Sequence, residues 1–317
     1  EVQFASHHWP TWGRDAAVDY MKKQRDLYKY IHDQTLRMAN HGYTKEEIAE
    51  LVSLPDSLGK EFYNRGYYGT VHHNTRAVYV KYLGFFDGNP AHLYQLPPVE
   101  AGKRYLDFMG GSDAVVARAQ DYFARGDYRF VAEVLNHVVM AEPEHIAGRA
   151  LLADTLEQMG YQSESAPWRN FYLCGAFELR EGLPSGSRFE ATESMAQAMP
   201  LENLFQTLAV RLNSDKVDGL VLHINLAFTD AEHQLLTIEN SVLHAFPGKS
   251  HAQATATMTI SGLDFKRLML RLADAPQLMG SGALAIDGDI GALAQLGGLF
   301  DQFERRFPIM TPRPERR

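Results

Sequence analysis

The chain has 317 residues, 45% of them hydrophobic and 22% charged, which is the composition of an ordinary globular protein with room for two or three domains. Its formal charge of −8 is spread along the chain without a basic block, and this excludes the clustered Lys and Arg of a nucleic-acid footprint. The single cysteine, Cys174, excludes a disulfide framework and a thiolate metal site, and no run of about 18 apolar residues offers a transmembrane segment.

The first stretch, Glu1 to Ser6, is a short β-like segment with neither an initiating Met nor a basic-then-apolar leader, so we expect a natural product longer than this chain. It runs into His7-His8-Trp9-Pro10-Thr11-Trp12-Gly13. Histidines placed just after a strand sit on a rigid support, where a ligand of fixed geometry belongs. Adjacent residues of extended chain point to opposite sides, so His7 and His8 are not expected to share one metal ion.

From Gly13-Arg14-Asp15, apolar residues at Val18, Met21, Leu27, Tyr28, Ile31, Leu36 and Met38 predict a long amphipathic helix that Asn40-His41-Gly42 stops. Thr44 with Glu47 reads as a capping box opening a short helix from Lys45 to Val52. The stretch Gly66 to Asn74 mixes Gly, aromatics and His without a period, and reads as a loop feeding a helix from Thr75 to Phe86. Asp87-Gly88-Asn89-Pro90 closes that helix.

Pro97 to about Gly182 has a helical pattern throughout. Within it, Val115 to Gln158 alternates small and large residues with Pro143 at a turn, in the manner of tetratricopeptide-like helix pairs. One or two such pairs are too few to stand alone, so they are expected to pack on a neighbouring domain or a second subunit. Leu183-Pro184-Ser185-Gly186-Ser187 reads as the linker.

Beyond it, a helix from Met199-Pro200 to about Leu212 precedes three alternating runs, Gly219 to Phe228, Gln234 to Leu243 and Ala252 to Ile260, which read as strands. Helices Gly262 to Ala273 and Asp289 to Phe303 follow, around Gly280-Ser281-Gly282. This is the pattern of an α+β domain.

The ordered stretches Ser6 to Gly13, Gln24 to Thr35, Gly66 to Thr70, His73-Asn74 to Tyr79, and Tyr82 to Pro90 resemble the alkyl sulfatases that hydrolyse dodecyl sulfate and related esters. The resemblance runs over Ser6 to about Gly182, and from about Ser194 the chain is more loosely similar to the sterol-carrier-like carboxy-terminal domain of that family. It implies a multidomain protein: residues 1–13 end a metallo-β-lactamase-type α/β domain, 14–183 form an all-α dimerisation domain with a substrate-side loop over 66–76, and 190–317 form an α+β domain like sterol carrier protein 2.

The resemblance further implies a hydrolase with two zinc ions whose first His-rich motif is absent here, leaving His7 as the surviving metal ligand and His8 as its alternative. Hydrolysis of an alkyl sulfate needs a nucleophilic water, charge stabilisation on the sulfate and a proton for the leaving alkoxide. By that reading His73 is the proton donor, and its replacement by alanine is expected to cost at least about 10²-fold in turnover. Asn74, Arg76, Tyr68 and Tyr79 are then substrate-binding, Arg for charge and Asn and Tyr for hydrogen bonds. Tyr79 also sits at helical spacing with Tyr82, which reads equally as a core aromatic.

A homodimer, an amphiphilic small-molecule substrate and a bacterial, often periplasmic or secreted, setting are implied too. The alternative is a non-catalytic dimerisation module joined to a lipid- or alkyl-chain-binding domain, and the isolated chain is expected to be inactive. In the last domain Leu220, Leu222, Ile224 and Leu226, with Leu268, Met269, Leu272, Leu278 and Met279, either pack a core or line an apolar tunnel.

Overall fold

A computed structural model describes residues 1–185 and 191–313, so Gly186 and Ser187 of the expected linker lie outside the described residues, as do Glu190 and residues 314–317 of the expected last domain. The chain divides into two compact units, 1–184 with 306–317, and 185–305.

In the first unit, β1 (Val2–Ala5) and β2 (His8–Trp12) form an antiparallel hairpin with Val2 opposite Trp12 and a register shift between Gln3 and Ala5. Ser6 and His7 make its turn. Helix α1 (Arg14–Ala39) fills the span its periodicity predicts, burying Tyr20, Ile31, Thr35 and Met38. Helix α2 (Lys45–Leu51) starts at the expected capping box: Thr44 Oγ1 accepts from Glu47 N, and Thr44 N donates to Glu47 Oε2 at 2.8 Å. A single turn, α3 (Asp56–Gly59), and a short 3-10 turn over Phe62–Asn64 lead to the Gly-rich segment.

Helix α4 (Val71–Leu83) begins four residues earlier than the sequence reading placed it. Thr70 caps it by accepting from His73 N at 3.2 Å. His72, His73 and Asn74 therefore stand on its first turn and not in a loop. Met38, Ile48 and Tyr79 bind α1, α2 and α4 into one small core.

The expected helical stretch is five helices: α5 (Pro98–Met109), α6 (Ser112–Ala124), α7 (Tyr128–Ala141), α8 (Ile146–Tyr161) and α9 (Ala166–Glu181). In α7, Val131, Leu135, Val138 and Val139 are fully buried at the spacing of one helix face, and each contributes roughly 1.5–3 kcal/mol by leaving water. Gly102 lets α5 meet α7, because a Cβ there would stand 2.7 Å from the His137 carbonyl oxygen. Gly102→Ala is expected to destabilise the chain by about 1–3 kcal/mol through overpacking, read as a lower Tm in thermal denaturation. An unchanged Tm would mean the two helices are not held that close.

After Arg305 the chain returns to the first unit. The backbone N–H groups of Ile309 and Met310 both donate to Glu178 Oε1 at 2.8 Å. A Cβ on Gly175 would lie 3.2 Å from Met310 Sδ, so the bare glycine gives the methionine its seat on α9. This tail, within the span expected for the last domain, packs with the first unit.

The second unit opens with α10 (Glu193–Ala198) and α11 (Leu201–Arg211). Its five-stranded sheet has the order β5-β4-β3-β6-β7, built from β3 (Leu222–Phe228), β4 (Gln234–Glu239), β5 (Val242–Pro247), β6 (Ala256–Ile260) and β7 (Leu284–Gly288), with helices α12 (Gly262–Met269) and α13 (Ala275–Gly280) before β7 and α14 (Ile290–Leu296) after it. Neighbours are antiparallel except β3 and β6. The run expected as one strand over Gln234 to Leu243 is a hairpin, since Asn240 and Ser241 take φ of 50° and 60° and reverse the chain. Strand β7 was not expected, and the last two helices are shorter than their periodicity suggested.

Leu222, Ile224, Leu226 and Phe228 alternate inward and join Leu204, Phe205, Leu208, Ile238, Ile260 and Phe265 in one core. Met269 and Leu278 pack against it. Those of the residues expected either to pack or to line a tunnel thus pack.

Candidate functional site

Two clefts flank the first turn of α4. The first, of about 290 Å³, is lined by the hairpin turn with His7 and His8, by Tyr20 and Gln24 of α1, by Arg65, Tyr67, Tyr68, Gly69 and Thr70 of the connecting segment, and by Asn74. His7 stacks flat on Tyr68, with ring centroids 3.8 Å apart and planes 13° from parallel. Both rings are exposed, so together they offer a platform edged by the Asn74 amide.

His8, the first residue of β2, lines the same cleft among aromatic rings. Its ring lies within 6.4 Å of the rings of Trp9, Tyr20, Phe62, Tyr63 and Tyr67, and its Nδ1 is 3.4 Å from Tyr67 Oη. Burial pushes the Tyr63 phenol up to about 12, with Glu61 adding to it, and raises Tyr67 as well. These hydroxyls therefore keep their protons at neutral pH and act as donors. Below them Gln24 Nε2 donates to Asn64 Oδ1 at 2.7 Å, and Asn64 Nδ2 donates to Leu58 O at 2.9 Å, which holds the floor.

The second cleft, of about 730 Å³, is lined by His72, His73 and Arg76 of α4 together with Glu50, Arg129 and Trp168. The structure therefore separates the sequence-predicted residues: His7, Tyr68 and Asn74 share one cleft, while His73 and Arg76 face the other. The Trp168 ring meets that of His73 edge-on, 4.4 Å between centroids, and its Nε1–H donates to the His73 ring. Burial, then His72 and Arg76, holds the His73 ring below the ordinary histidine range.

A depressed imidazole that accepts an indole N–H is neutral at pH 7. The ring expected as the proton donor thus stands in the second cleft, engaged by Trp168. Arg76 is already engaged with Glu46 at 3.3 Å. Tyr79, expected as a substrate contact, is 6% exposed between Met38 and Ile48 and is a core residue.

Burial is also the first cause of lowered values at His72 and His137. A histidine whose folded value is depressed binds its proton more readily when unfolded, so stability is full above the unfolded value of about 6.5 and falls as pH drops from there toward the folded values. Thermal denaturation between pH 7.5 and 5 is expected to show a falling Tm, and a flat profile would contradict the lowered histidine values.

Trp168 and Ser165, both on or beside α9, were missed by sequence reasoning because no local spacing links them to a segment about 95 residues earlier. The aromatic density of Phe62, Tyr63, Tyr67 and Tyr68 was visible and is the signal that marks the first cleft. Among the described residues no group of three or more His, Cys, Asp or Glu is placed to hold a metal ion, so they do not fit a zinc centre by themselves. Among the same residues no helix is long and apolar enough to cross a membrane.

Comparison with known proteins matches residues 44–182 to the family described as alkyl sulfatase dimerisation and residues 190–312 to the one described as alkyl sulfatase C-terminal. A linear primary-alkylsulfatase of a Pseudomonas species is 46% identical over 316 residues, covering 98% of this chain and 47% of that protein. An alkyl/aryl-sulfatase of Saccharomyces cerevisiae is 44% identical, covering 98% and 48%. The solved structure of the stereoselective inverting sec-alkylsulfatase Pisa1 from a Pseudomonas species superposes with a TM-score of 0.93 at 39% identity, covering 99% of this chain and 50% of that one. The chain spans about half the length of the curated relatives it matches.

Proposed function

This chain belongs to the alkyl sulfatase family, whose dimerisation and C-terminal parts it carries, and from that premise we propose that the complete protein hydrolyses alkyl sulfate esters and that the first cleft supplies its substrate wall. The observation that carries the reading is the stacked His7–Tyr68 platform beside Asn74. An anionic sulfate finds hydrogen-bond donors there in the Tyr68 hydroxyl, the Asn74 amide and an imidazole N–H. Tyr20, Leu27 and Ile31 line the same cleft and offer apolar surface for an alkyl chain.

Residues 1–13 are then read as the end of a metallo-β-lactamase-type domain, and His7, with His8 as the alternative, as one ligand of a two-zinc centre whose remaining ligands lie outside these residues. No step is assigned to metal here. Release of sulfate from sodium dodecyl sulfate tests the proposal: the chain joined to its upstream half is expected to hydrolyse it, and the chain alone is not. An inactive complete protein would overturn it.

We also place a homodimer contact on the first unit. Leu83 at the end of α4 and Phe85, Leu93, Tyr94 and Leu96 between α4 and α5 expose large apolar surface, with Phe85 79% and Tyr94 97% exposed. A cluster of this kind on a soluble chain marks a protein contact, and it lies within the segment matched to alkyl sulfatase dimerisation.

A second reading, an alkyl-chain-binding role for the sterol-carrier-like unit, is favoured by a cleft of about 410 Å³ between α11 and β5, lined by Phe205, Ala209, Leu243 and Ala245 with Gln206 and His244 at polar positions. Calorimetric titration of the chain with dodecanol is expected to saturate, and Ala209→Trp to block it. No saturable heat would leave this unit with a structural role only.

A further inference from the structure

We propose that the turn opening α9, Glu164 to Trp168, is a positioning element that sets the His7–Tyr68 platform, an inference that rests on reading that platform as the substrate wall. Four contacts tie this turn to the segment between the clefts and to the first turn of α4. Glu164 Oε1 pairs with Arg65 Nη2 at 2.6 Å. Ser165 Oγ donates to the Tyr68 carbonyl at 2.6 Å, and Ala166 N donates to the Tyr67 carbonyl at 2.9 Å. Trp168 Nε1 donates to the His73 ring.

The segment needs such a hold. Gly66 and Gly69 bracket Tyr67-Tyr68, so its backbone has little conformational preference of its own. Two adjacent carbonyls fixed from outside define the two peptide planes, and the plane after Tyr68 directs where its side chain leaves the backbone. Ser165 is 1% exposed, and its hydroxyl is used twice, donating to Tyr68 O and accepting from Trp168 N at 3.4 Å as the cap of α9. The same few atoms start the helix and fix the loop.

The readout is the His7 ring, which touches none of these groups. In the isotope-labelled chain, its resonance is expected to be displaced upfield by the Tyr68 ring it stacks on. Ser165→Ala is expected to abolish that displacement and Ser165→Thr to keep it, with helix content by circular dichroism the same in both; a displacement that survives Ser165→Ala overturns the proposal.

Trp168→Phe reads the other end of the turn without touching the cap, and serves if Ser165→Ala does not fold. Losing the indole donor is expected to raise the titration midpoint of His73, and an unmoved midpoint overturns the proposal at that end. In the complete enzyme, Ser165→Ala is expected to lower kcat/KM for dodecyl sulfate about tenfold with Ser165→Thr restoring it. Unchanged kinetics alongside a lost His7 displacement would sink the substrate-wall reading and leave the positioning role standing.

Discussion

Replacing His7 with alanine in the complete enzyme is expected to lower kcat/KM for a linear alkyl sulfate by at least about 10²-fold, the scale of losing one well-placed polar group in an active site. The expectation follows from its position: the ring stacks at 3.8 Å on Tyr68 and lines the same cleft as Asn74. Because the side chain is exposed, the fold should change by no more than about 0.5 kcal/mol. Activity lost at an unchanged Tm is therefore the signature sought. Turnover near the unmodified rate would remove the first cleft from the chemistry. His73→Ala is expected to cost less than about tenfold, since Trp168 engages the ring in the second cleft, and a loss of about 10²-fold or more would support the proton-donor role.

The second large effect concerns assembly. Phe85→Asp together with Leu93→Asp places two charges on the exposed apolar stretch between α4 and α5. If that stretch is buried against a second copy, each change removes an anchor and strands a charge, and about 4 kcal/mol lost over the two corresponds to a roughly 10³-fold weaker dimer. Analytical ultracentrifugation at micromolar concentration is expected to report a monomer for the double variant and a dimer for the unmodified protein. Both residues being exposed, the monomer should remain folded. A double variant that still sediments as a dimer would move the contact elsewhere.

Much of the fold was legible because its signals are local. The 3.6-residue spacing from Val18 to Met38 gave α1, and Thr44 with Glu47 gave the capped start of α2. Where the sequence misled, a single residue or pair decided. Thr70 caps α4 and draws His72, His73 and Asn74 onto its first turn, while Asn240-Ser241 folds an apparent strand into two. The site divided in the same way. His7, Tyr68 and Asn74 could be named because the two stretches that carry them, Ser6 to Gly13 and Gly66 to Tyr79, resemble the family, but Ser165 and Trp168 come from α9 through tertiary packing that no spacing announces. Tyr79 shows the reverse: three residues from Arg76 on the helix, it turns into the core because Met38 and Ile48 leave an apolar space there.

Ile309 and Met310 lean on Glu178 and Gly175 of α9 after the chain has run through the whole second unit. Dissection by simple truncation is therefore misleading: a version ending at 185 strips the acceptor Glu178 of two backbone donors and opens the seat of Met310. A loopout in which 1–185 is spliced by a short flexible bridge to 306–313 preserves that seam, and it is the form in which the helical half should be produced for study.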